Sequence, residues 1–276
     1  MFGFFRRRRR ARLRAKPFPT VWRNHLERNV GWYSVLEPAE RTKLEGDLAI
    51  FLTEKNWEGC AGLVITDEIK VTIAAQASLL SLAWKDFHFD AVISILVYPA
   101  AYRAKGREEF GDALPTERVG EAFGRETVVL SWRDSRADAR GARDGRNVVL
   151  HEFAHILDME DGLPDGVPHL NSDSLRATWR TCIHREIERM QQSLLARRGT
   201  LLDPYAVESP PEFFAVATES FFELALDFQR EMPEFYRLMS DYYGQDPARR
   251  WPAPGETESE NAADNDQGAE GLWPIR

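Results

Sequence analysis

Cysteine is nearly absent from this 276-residue chain, and the two present, Cys60 and Cys182, lie far apart without cysteine neighbours. That excludes a disulfide framework and a cysteine-built metal site, and it fits reduced, packed thiols. No apolar run approaches the roughly 20 residues that span a bilayer. There is no glycine-rich phosphate loop and no internal repeat, which argues against a nucleotide cradle and a solenoid. Met1-Phe2-Gly3-Phe4-Phe5 precedes the first arginines, inverting the order of a secretory signal. A cytoplasmic protein is therefore expected. With 43% hydrophobic and 11% aromatic residues, the chain can bury a continuous core without staples.

Acid is missing from the first sixteen residues, where Arg6 to Arg10, Arg12, Arg14 and Lys16 crowd together. The other residues carry 28 basic against 44 acidic side chains, so the net charge of −8 hides a segregation of sign. Residues 1–19 are expected to be a solvated, disordered basic arm. An anionic membrane surface, held weakly, or nucleic acid are its alternative partners; no direct nucleic-acid role is expected of the protein as a whole. Past Asp246, Pro252, Pro254, Gly255, Glu256, Glu258, Glu260, Asp264, Asp266 and Glu270 mark residues 246–276 as a disordered acidic tail.

Residues 20–245 between these ends read as one globular domain. Periodicity and caps predict helices over Pro38–Glu54, 67–84, 172–195 and Pro233–Tyr243, the second buried on most sides, with Asp67 as its N-cap. Residues 127–132 and 93–98 are short β-rich runs, expected as neighbouring strands, the first being the candidate edge for an added peptide strand. The charged link over 104–125 reads as a loop. The fold class is α+β, predominantly helical, with a small sheet.

What the chain does contain is Val148-Val149-Leu150-His151-Glu152-Phe153-Ala154-His155-Ile156-Leu157-Asp158, an HExxH signature inside an apolar helix. His151 and His155 fall one turn apart on one face, so both imidazoles can reach one ion. Glu152 is too close in sequence to share that ion and is placed to take a proton from water. A catalytic zinc needs a third protein ligand, and two candidates stand. Asp161 has the spacing of the HExxHxxGxxH pattern, but Asp158 occupies the glycine position and Gly162 comes four residues late. The other is Glu212, in the first turn of a helix opened by Ser209-Pro210-Pro211; its ordinary role would be a capping box. Glu219, two turns on, either orients one of the histidines or pairs with an arginine.

The HEFAHxLDxxDG run at 151–162, with YAxESPxEFFAVxxExFFE at 205–223, resembles the Mlc titration factor A family, whose metal centre is similar to that of anthrax lethal factor. The likeness extends to Gly62-Leu63-Val64-Ile65-Thr66-Asp67-Glu68 and to Ile95-Leu96-Val97-Tyr98-Pro99, covering about residues 20–245. It implies a zincin-like metallopeptidase domain with Zn2+ held by His151, His155 and Glu212. It also implies Glu152 as general base and Tyr205, seven residues before Glu212, as a hydrogen-bond donor near the reacting carbonyl. Aminopeptidase-like hydrolysis of short peptides is the implied activity. Asp158, Asp161 and Glu208 are open candidates for holding a substrate ammonium, although Asp158 more readily hydrogen-bonds near its helix end. Binding to a transcriptional repressor of the Mlc type, with the zinc site secondary, is the alternative role that the resemblance implies.

Overall fold

A computed structural model describes residues 2–104, 116–118, 120–123, 125–141 and 143–250. The chain opens with helices α1 (Phe2–Arg14), α2 (Thr20–Asn29) and α3 (Pro38–Glu54), followed by strand β1 (Asn56–Gly59). Helix α4 (Asp67–Leu80) crosses back to β2 (Ser94–Tyr98), and β3 (Tyr102–Ala104), β4 (Thr116–Arg118), β5 (Gly120–Phe123) and β6 (Thr127–Ser131) come next. The rest is helical: α5 (Trp132–Ala139), α6 (Val148–Asp158), α7 (Asp173–Leu195), α8 (Pro210–Glu223), α9 (Ala225–Glu231), α10 (Pro233–Tyr243) and α11 (Pro247–Arg250). The α+β class and the predominance of helix agree with the expectation.

The main sheet has the order β1-β2-β6-β5, with β1, β2 and β6 parallel and β5 antiparallel to β6. β1 and β2 are parallel because α4 carries the chain between them, a crossover that a tight turn cannot make. Val128, Val129, Leu130 and Ser131 are all buried, the near-continuous burial of an inner strand. That corrects one expectation. Residues 93–98 and 127–132 do pair, but β5 covers the outer side of β6, so β6 is no free edge. β4 and β5 fall within the link expected to be a loop, and β4 pairs antiparallel with β3. A short strand in a charged, glycine-containing stretch gives little periodicity to read.

α4 is buried from Ile69 to Leu80 without a break except the half-buried Lys70, since its sides are apolar apart from Thr72, Gln76 and Ser78, and Gln76 Nε2 donates to Thr72 O and Ser135 O. Its N-cap is Thr66, whose hydroxyl accepts from Ile69 N at 3.3 Å, so Asp67 is the first helical residue and not the cap. It ends at Leu80, before Trp84. Trp84 instead stacks on Tyr243 and donates its indole N–H to Tyr242 O, tying the chain after α4 to α10. The bounds of α3 and α10 match the expected ones.

Residues 2–14, expected as a basic arm, form helix α1, whose arginines reach the body. Arg10 is 7% exposed and pairs with Glu54 and Asp90, while Arg14 pairs with Asp47 and Asp86, each at 2.9 Å. Composition registers the mutual repulsion of the arginines; the acids that neutralise them lie 33 to 80 residues away in sequence. At the other end, Asp246 accepts from Tyr236 Oη at 2.6 Å, and Pro247 and Ala248 are buried. The body therefore continues to Arg250, and the rest of the expected acidic tail lies outside the described residues. Among the described residues no helix is long and apolar enough to cross a membrane.

Candidate metal centre

α6 owes its position to its cap. Asn147 Oδ1 accepts from Leu150 N at 3.0 Å, and Asp138 Oδ2 accepts from Val148 N at 2.8 Å, satisfying two amides of the first turn. Leu150, Phe153, Ala154, Ile156 and Leu157 enter the core on one side. His151 and His155 turn to the other, and their Nε2 atoms lie 3.2 Å apart.

α8 packs across α6 and supplies the carboxylate. Ser209 caps it by accepting from Glu212 N at 3.3 Å, with Pro210 and Pro211 suited to the first turn because they have no N–H to satisfy. Glu212 Oε2 lies 3.2 Å from His151 Nε2 and 3.4 Å from His155 Nε2. Three ligand-type atoms thus form a triangle with edges of 3.2, 3.2 and 3.4 Å. Ligands placed about 2.0–2.1 Å from a tetrahedral ion would be about 3.3–3.4 Å apart. Glu212 Oε2 is buried and makes no hydrogen bond, although two imidazoles lie beside it. A buried carboxylate oxygen aimed between two ring nitrogens, none aligned to donate to it, fits a cation.

The surroundings hold this triangle in place. Glu219 Oε1 lies 2.7 Å from His151 Nδ1, and its Oε2 accepts from Asn147 N at 2.5 Å. One carboxylate therefore fixes both the ring and the helix start, resolving the two readings of Glu219 in favour of orientation. Burial alone would lower the His151 pKa, but its contacts with Glu212 and Glu219 outweigh that and push it up to about 10. Burial would raise that of Glu212, yet His151 and His155 hold it well below the usual carboxylate range. Burial, with the charges of Glu212 and Glu208, pushes the Tyr205 phenol up to about 12.

Glu152, on the same helix, is 5% exposed, and its charge is felt by both His151 and Tyr205. Tyr205 stands on a one-turn helix, Pro204–Val207, with its ring 6.2 Å from that of His151. At 44% exposed, it is the most accessible of the five expected residues. Asp161 does not join them. It accepts from Leu163 N and pairs with Arg176. The helix runs straight through Asp158, at φ −60°, and the chain turns only at Gly162, at φ +91°. Asp158 is fully buried and near the amides of Asp165 and Gly166; burial first, then Asp165, pushes its carboxyl up to about 7.

Asn147 and Asp138 position the centre and are absent from the expected residues. An Asn directly before an apolar helical run is a legible cap signal. Asp138 carries no such signal, because its role depends on α5 ending beside the start of α6.

A helix presenting a His-Glu-x-x-His face to a carboxylate from a second helix, with a small mixed sheet alongside, is the architecture of a zincin-like metallopeptidase. A family model described as glucose-regulated metallo-peptidase M90 matches residues 4–244, and the chain belongs to that family. An uncharacterized protein of Synechocystis sp. is 34% identical over 244 residues, covering 87% of this chain and 89% of that protein. Mlc titration factor A of Edwardsiella ictaluri is 31% identical, covering 68% of this chain and 76% of its own length. The protein of the same name from Pectobacterium atrosepticum is 29% identical, with coverages of 78% and 83%. The protein is thus a metallopeptidase, and its family implies a metal ion.

Proposed function

We propose that the protein is a zinc-dependent peptidase in which His151, His155 and Glu212 hold the ion. The observation that carries this reading is the triangle of two Nε2 atoms and the unbonded Glu212 Oε2. Two imidazoles and one carboxylate suit zinc, and a zinc ion there would supply Lewis acidity toward a peptide carbonyl and toward water.

The remaining chemistry belongs to the chain. Glu152 takes the proton from the attacking water and delivers it to the leaving amine. Tyr205 is protonated at neutral pH, as any phenol near its ordinary range is, and donates to the oxyanion that develops on the carbonyl. Glu219 holds His151 in one tautomer so that Nε2 faces inward. Of the acids open for the substrate ammonium, Asp158 is buried and Asp161 is paired, while Glu208 is exposed and close enough to Tyr205 to raise its pKa. Glu208 is therefore our choice, and it supports aminopeptidase-like cleavage of short peptides. The relatives named Mlc titration factor A support a second role, binding a repressor of the Mlc type.

Hydrolysis of aminoacyl nitroanilides by wild type and Glu152→Gln tests the reading. Turnover is expected to fall by about 100-fold or more in the variant, with its metal content unchanged. Retained turnover would remove Glu152 from the mechanism.

A further inference from the structure

We infer that α1 is a docking surface for an anionic lipid bilayer. The helix has two sides. Arg6, Arg10 and Arg14 recur every fourth residue and face the body, where they pair with Asp90, Glu54, Asp47 and Asp86. At 100° per residue, Phe4, Phe5, Arg8 and Arg12 lie on the opposite side, with Arg9 beside them. Phe4 is 67% and Phe5 61% exposed, and Arg8, Arg9 and Arg12 are exposed as well. Among the described residues, Arg7, Arg8, Arg9 and Arg12 have no carboxylate partner.

Two independent features select the partner. Clustered arginines attract phosphate of any source, but adjacent phenylalanines held in water on a rigid helix have no use at a purely ionic surface. Exposed aromatic rings at the start of the helix, with arginines one and two turns further along the same side, give one surface both rings to insert between lipids and charges to meet their headgroups. Docking through Arg10 and Arg14 removes much of the ordering cost that a disordered arm would meet on binding. The acidic body does not forbid the approach. It stands behind a helix some 10 Å across, about one Debye length at physiological salt, so its repulsion is largely screened.

The test is co-sedimentation of the full-length chain with vesicles of phosphatidylglycerol and phosphatidylcholine, against pure phosphatidylcholine, at 100 mM salt. Binding is expected to the anionic vesicles alone. Arg8→Glu with Arg12→Glu should weaken it by more than tenfold, since each basic residue near such a surface contributes about fivefold. Phe4→Ser with Phe5→Ser should also weaken it by about tenfold or more, and circular dichroism and melting temperature should match wild type because the docked side is untouched. Failure to bind anionic vesicles would overturn the assignment. So would equal binding to both vesicle types, or full binding by the phenylalanine variant. Tighter binding of the full-length chain to duplex DNA than to the vesicles, lost in the Arg8→Glu with Arg12→Glu variant, would give the surface to nucleic acid instead.

Discussion

Glu219 carries two loads at once, since one carboxylate oxygen holds the His151 ring and the other the first amide before α6. Glu219→Gln keeps the shape but loses the charge, and the expected result is a 10- to 100-fold loss of metal affinity, read by competition with a chelator. Unchanged affinity would show that packing alone sets the ring. At this scale the sequence was partly legible. The spacing of His151 and His155 follows from helical periodicity, and the family pattern selects Glu212. The partner of Glu219 was undecidable, because an orienting role and a surface pair leave the same residue two turns along the same helix. Asp161 lies away from the His151–His155–Glu212 triangle for a backbone reason already visible in the sequence, the missing glycine at Asp158.

At the scale of elements, the centre depends on how α8 begins relative to the loop after α6. Gly166, in that loop, adopts φ +79°, and a Cβ there would fall 2.3 Å from Pro210 O. Gly166→Ala therefore strains its own backbone by roughly 1–2 kcal/mol and also displaces the first turn of α8, which carries Glu212. A melting-temperature drop of several degrees together with weakened metal binding is expected; a loss of stability alone would mean that Glu212 does not depend on this contact. Helices with strong punctuation, such as α3 and α10 with proline at the first position, could be bounded from the sequence. The docking of α1 could not be read, and β6 was found as a strand but not its covered side. The order of α1 comes from distant acids, and whether β6 is an edge depends on β5, which pairs with it from the poorly patterned link before it.

For the molecule as a whole, one core runs from Leu26 in α2 to Ala248 in α11, and α1 is fastened to it by charge. His88 sits within that fastening. It is 4% exposed, with Nε2 3.1 Å from an Arg14 nitrogen, a contact that requires the neutral ring to accept. Burial lowers its pKa from 6.5 to about 4, against the opposing charge of Asp47. The unfolded chain then takes up the proton first, so the His88 contribution to stability is complete above pH 6.5 and is lost as pH falls toward 4. The size is about 3 kcal/mol for a shift of this order. Asp138, Asp158 and Glu223, whose pKa values burial raises to about 7, act in the opposite sense, favouring the folded state at acid pH. The expected observation is therefore a difference: His88→Gln should be less sensitive to acid than wild type between pH 6.5 and 4 in denaturant titrations. Parallel profiles would show that His88 does not titrate differently on unfolding.

In the proposed site a distant glutamate completes what two histidines begin, and metal content measures this directly. Elemental analysis of the purified wild type is expected to give about one zinc per chain, lost in His155→Ala and Glu212→Ala and kept in Asp161→Ala. Zinc retained in Glu212→Ala, or lost in Asp161→Ala, would mean that Glu212 is not the third ligand.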